Sequence, residues 1–122
     1  MNSQSSPLMA RFMQAVAFHQ AGRLAEVEQI CRQILQAQPK HFDCRHLLGV
    51  TYAQRGNHVE AVRQIDAALE IDPNHACAHR NRGDALLELQ RPDEALASYE
   101  RAIALKPDFA EAFFSRGMPF ES

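Results

Sequence analysis

The sequence predicts an all-α fold, an α-solenoid of three stacked helix-turn-helix units followed by a short seventh helix. Three observations carry this prediction. Pro39, Pro73 and Pro107 are spaced by 34 residues, and Glu26, Glu60 and Glu94 keep the same interval. Within each interval the apolar residues recur at helical spacing rather than in strict alternation. A break near the middle, at Gly22, Gly56 and Gln90, divides each interval into two helix-sized stretches. Periods of 20–50 residues mark architectures in which one unit cannot bury its apolar face alone and stacked neighbours can.

The elements follow in order. Residues 1–7 are polar and read as a disordered tail. The first unit, 8–41, pairs helices expected at 8–21 and 24–37; the second, 42–75, pairs 42–55 with 58–71; the third, 76–109, pairs 76–89 with 92–105. Asp72-Pro73-Asn74 ends the second pair, because proline cannot continue a helix and restricts the residue before it. Pro92 suits a first helical position, where its missing N–H costs nothing. Asp93 and Glu94 then sit favourably against the helix dipole. Residues 110–122 form a truncated fourth unit, with a short helix expected at 110–117 and Pro119 breaking it. Gly49 and Gly83, with Ala61, Ala68, Ala95 and Ala102, are expected where the two helices of a unit approach most closely.

Composition narrows the function. Thirteen Lys+Arg against fifteen Asp+Glu give a net charge of −2, which speaks against a strongly basic nucleic-acid binder. No apolar run approaches the ~18 residues of a membrane span, and Met1–Pro7 lacks the layout of a secretory leader. Three cysteines without a CxxC pair argue for a reducing, cytoplasmic setting rather than a disulfide framework. The sequence holds no Gly-rich phosphate loop, HExxH or GxSxG, so no catalytic residue and no cofactor is assigned. The acidic pairs Glu26/Glu28 and Asp93/Glu94 read as helix-start charges and solvated faces. His41, Cys44 and His46 recur, slightly shifted, as His75, Cys77 and His79. Imidazole and thiolate are zinc ligands, but this spacing matches no zinc signature, and turn residues, a small core thiol and surface histidines account for it.

The pattern resembles the tetratricopeptide repeat, a 34-residue helix-turn-helix unit. Unit two carries it on Leu48, Gly49, Tyr52, Gly56, Ala61, Ile65, Ala68 and Pro73, and unit three on Gly83, Leu86, Ala95, Tyr99, Ala102 and Pro107. Unit one is degenerate, with Ala15, Phe18, Gly22, Val27, Cys31, Ile34 and Pro39, and its larger Val27 and Ile34 should splay the first pair. Arg11, Arg45 and His79 stand at position 4, where an aromatic or large residue is usual, and Arg82 and Arg116 replace the leucine before glycine.

The resemblance implies a right-handed superhelix whose concave groove is lined by the first helix of each unit. It places Phe12, Val16, His19, His46, Val50, Arg80 and Asp84 in that groove, apolar at the N-terminal end and mixed in charge at the other. The implied function is a protein–protein interaction scaffold or adaptor that binds a peptide or helix, without catalysis. The Lys/Asn clamp that one subclass uses on acidic C-terminal carboxylates is missing, since Phe12, Val16 and Leu47 hold those positions. Of the Asn ladder of glycosyltransferase arrays only Asn81 fits. The alternative is a recruitment or regulatory segment of a larger enzyme, because unit three is worded like bacterial arrays, some of them fused to glycosyltransferase-like domains. Phe113, Phe114 and Phe120, in a Phe-rich C-terminal stretch, suggest self-association into a homodimer.

Overall fold

The computed structural model describes residues 7–108. They form six helices in three antiparallel hairpins: α1 (Pro7–Gln20) with α2 (Leu24–Ala37), α3 (Phe42–Gln54) with α4 (His58–Ile71), and α5 (Ala76–Glu88) with α6 (Pro92–Leu105). Each helix packs on the helices before and after it in the chain, so the hairpins stack as an α-solenoid. The expected helix at 110–117 lies outside the described residues. The expected tail runs one residue too far, because helix α1 begins at Pro7, whose fixed φ suits a first turn.

The first helix of each hairpin ends one residue earlier than expected, and the reason repeats. The N–H groups of Arg23, Asn57 and Arg91 donate back to the carbonyls of Phe18, Tyr52 and Leu86, each at 2.9 Å. This closure takes the preceding residue into the left-handed region: Gly22 at φ 78°, Gly56 at 85° and Gln90 at 60°. Asn57 then caps α4, its side chain accepting from Glu60 N–H at 3.3 Å. At the other end, the joints between hairpins, histidine serves as the cap. His41 Nδ1 accepts from Cys44 N–H at 3.1 Å, and His75 Nδ1 from Ala78 N–H at 3.3 Å.

Small residues set the spacing within a hairpin. A Cβ on Gly49 would stand 2.6 Å from Ile65 Cγ1 and 3.2 Å from the Ala61 carbonyl; one on Gly83 would stand 2.6 Å from the Tyr99 ring. Ala61, Ala68, Ala95 and Ala102 are fully buried on the facing helices. The backbones of α1 and α2 approach less closely along their length than those of the other two pairs, as the larger Val27 and Ile34 require. Between the first two hairpins, Cys31 and Cys44 are buried thiols. The hydrogen bond with Cys31, followed by burial, pushes the Cys44 thiol well above the usual range.

Candidate functional face

The first helices α1, α3 and α5 build one continuous face. Bonds between side chains hold it together at a regular offset. His19 Nε2–H donates to Gln54 Oε1 at 2.8 Å, linking α1 to α3. The Asn81 amide donates to His46 Nε2 at 2.8 Å, linking α3 to α5. Rings fill the space below. Phe12 packs on His41 at 5.5 Å between centroids, and Phe42 packs on both His75 at 4.6 Å and His46 at 5.7 Å. His46 and His75 meet edge-on at 5.3 Å. Burial, with help from His75 and Arg80 and against the pull of Asp43, holds His46 down to about 4, so the ring is neutral. Neutrality fits its role, because Nε2 must keep a lone pair to accept from Asn81.

The residues expected in the groove separate into two groups. Phe12, Val16 and Val50 are half-buried apolar side chains on this face. His19, His46 and Asp84 are engaged in fastening helices: the Tyr99 hydroxyl donates to Asp84 Oδ1 at 2.5 Å. Arg80 donates to the neighbouring Asn81 at 3.2 Å. Near the turn of the second hairpin, α3, α4, α5 and α6 border an open cleft of about 330 Å³ lined by Ala53, His58, Asp84, Ala85, Leu87, Glu88 and Tyr99. Phe113, Phe114 and Phe120, expected at a self-association surface, lie outside the described residues.

Sequence reading missed the part played by Phe42 and His75, which floor the face between hairpins two and three. An aromatic directly after the joint histidine was the available signal. It also took Glu28 for a solvated charge. Instead Glu28 receives the Tyr52 hydroxyl at 3.0 Å and Arg55 at 2.8 Å from the next hairpin. Arg32, one turn on, reaches the same carboxylate at 3.1 Å and also bonds the Tyr52 hydroxyl. The unusual arginines have partners too. Arg82 pairs with Asp66 at 2.6 Å and donates to Ser98 at 2.8 Å, which gives a charged group a place where leucine is usual.

The histidine-rich joints are explained by these bonds. His41 and His75 are caps, Cys44 is in the core, and His79 Nε2–H donates to the Pro73 carbonyl at 2.8 Å. Among the described residues no three of His, Cys, Asp and Glu gather as a metal-binding group. No described helix is long and apolar enough to cross a membrane.

Comparison with known proteins identifies the repeat. A tetratricopeptide-repeat family model matches residues 45–108, and a second matches residues 8–33. The chain belongs to the tetratricopeptide-repeat family. Among curated relatives, the protein O-mannosyl-transferase TMTC1 of Mus musculus is 30% identical over 100 residues, covering 79% of this chain and 11% of that protein. The chain thus spans about a tenth of the length of the first curated relatives it matches. The fold is shared with solved structures. The first TPR of Spaghetti (RPAP3), bound to the HSP90 peptide SRMEEVD, superposes with a TM-score of 0.81 at 20% identity, covering 88% of this chain and 85% of that one. MamA from AMB-1 gives 0.76 at 22% identity, covering 84% and 56%.

Proposed function

We propose that this tetratricopeptide array is a protein-interaction module that binds a peptide or helix along the face of α1, α3 and α5, as a scaffold or adaptor without catalysis of its own. The observation that carries the reading is the make-up of that face. Its polar groups fasten helix to helix, which fixes its shape, while Phe12, Val16 and Val50 remain half exposed. A preformed surface with apolar anchors suits helix-in-groove or extended-peptide recognition. The fold is also one that, in Spaghetti, is seen with a peptide bound. The buried thiols Cys31 and Cys44 suit a reducing, cytoplasmic setting.

The test is selection of a random displayed-peptide library on the immobilised chain, followed by anisotropy titration of enriched peptides. Val50→Asp and Val16→Ser should weaken capture by about tenfold or more with helicity unchanged. Arg63→Ala, on the exposed side of α4, should leave it intact. Equal loss from both sets would place the partner elsewhere.

A second reading has its own support. The relatives matched are much longer than this chain, and TMTC1 is by name a protein O-mannosyl-transferase. On this reading the array recruits protein substrates to an enzyme, and the same face does the recruiting. The full reading frame distinguishes the two.

A further inference from the structure

We propose that Cys31 and Cys44 form a redox-sensitive switch, in which a peroxide joins them as a disulfide and pins the first hairpin to the second. Cys31 lies on α2 and Cys44 in the first turn of α3, so the pair spans the seam between two hairpins. Both side chains are 0% exposed, and they touch, sulfur hydrogen-bonded to sulfur. Packing alone does not call for two thiols here. One 34-residue period further on, Ile65 and Ala78 hold the same two places and are also fully buried. The seam between hairpins two and three thus does with an apolar pair what the first seam does with two sulfurs.

The chemistry follows from the contact. The Cys44 S–H donates to the Cys31 sulfur; this lowers the Cys31 thiol, against the effect of burial, and raises Cys44. Cys31 is therefore the first to ionise, and its thiolate attacks one peroxide oxygen. The O–O bond breaks, leaving a sulfenic acid on Cys31 and a hydroxide, which takes up the thiol proton as water. Cys44 then attacks the Cys31 sulfur. The S–S bond forms, and the sulfenic oxygen leaves with the Cys44 proton as a second water. Two thiols have lost two electrons, and hydrogen peroxide has gained them. Access comes from motion of the seam. Among the described residues hairpin one is an end unit of the stack, docked through α2 on α3, and its own helices approach less closely than those of the other pairs. Local undocking of an end unit wets both sulfurs at once, and redocking returns them to contact.

The experiment treats the whole folded chain with hydrogen peroxide, blocks the remaining thiols by alkylation and digests it with trypsin without reductant. The expected result is residues 24–32 joined to residues 41–45 within one chain, and their separation after a thiol reductant is added. Oxidation should raise Tm by about 5 °C or more, reversibly, because the cross-link closes a short loop. Cys44→Ala, which copies Ala78 of the next unit, should fold and show neither the joined peptides nor the rise. A link that forms only in urea, links only between chains, or oxidation confined to Cys77 would overturn the switch. So would a disulfide that leaves Tm unchanged, or an equal rise in Cys44→Ala. These readouts need no partner, so their outcome is independent of the displayed-peptide selection.

Discussion

The Tyr52 hydroxyl donates to Glu28 at 3.0 Å, joining the second hairpin to the first across 24 residues of chain. Arg55 reaches the other oxygen of the same carboxylate at 2.8 Å. Tyr52 is 6% exposed, so its hydroxyl depends on this joint for its partners. Tyr52→Phe should therefore lower stability by about 1 kcal/mol without altering helicity. Urea denaturation checks this; an unchanged midpoint would mean the bond contributes nothing net.

Gly49 and Gly83 test the close approach within hairpins. In an exposed helix, Gly→Ala stabilises by up to about 1 kcal/mol. Here the added Cβ would meet Ile65 or Tyr99 at 2.6 Å, and Tyr99 is tied by its hydroxyl to Asp84. Gly49→Ala and Gly83→Ala should each destabilise by about 1–3 kcal/mol. The sign alone decides, and a rise in Tm in either variant would show that the helices have room to separate.

Gln90 offers the opposite case. It takes φ 60° where the first two units have glycine at φ 78° and 85°. A left-handed conformation costs an L-residue about 1–2 kcal/mol, part of which glycine returns through its greater freedom when unfolded. Gln90→Gly should stabilise by roughly 0.5–1 kcal/mol, and Gly56→Gln should destabilise by a similar amount. Paired thermal melts of the two variants would reveal a strain-free turn if they moved in the same direction.

His46 makes stability depend on pH. Its folded value of about 4 lies below the ordinary ~6.5, so between those values the unfolded chain binds a proton that the folded chain does not. The contribution is fully present above about pH 6.5, declines as pH falls, and is lost by about pH 4. A gap of that size corresponds to about 3 kcal/mol. Carboxylates titrate in the same range, so the measurement is a comparison. The urea midpoint of His46→Gln should fall less between pH 7 and pH 4.5 than that of the parent, and equal falls would remove His46 as the cause.

The fold was legible in the sequence because its signals are local. Proline, the mid-unit glycine and the apolar period each act within a few residues, and they located all six described helices to within a residue at each end. The joints were less legible. Histidine is an unusual cap, so His41 and His75 looked like turn residues rather than acceptors for Cys44 and Ala78 N–H. Glu28 was misread because its partners, Tyr52 and Arg55, come within reach only after two hairpins dock. The cleft was legible only in part: Asp84 was expected on the groove face, but that His58 and Tyr99 join it there depends on how the hairpins pack.

The joint bonds also bear on how such a chain changes its length. Arg45 Nε–H donates to the Pro39 carbonyl at 3.2 Å, and 34 residues later His79 does the same to Pro73. Each tie reaches back only to the hairpin before it. A duplicated 34-residue block would arrive with both halves of the tie, able to receive the unit behind and be received by the unit ahead. Unequal recombination can therefore lengthen or shorten the array by whole hairpins while this tie is kept at each junction, although the Tyr52–Glu28 bond is not, because Val62 stands 34 residues after Glu28. The number of hairpins can thus change without loss of the tie that fastens each one to the hairpin before it.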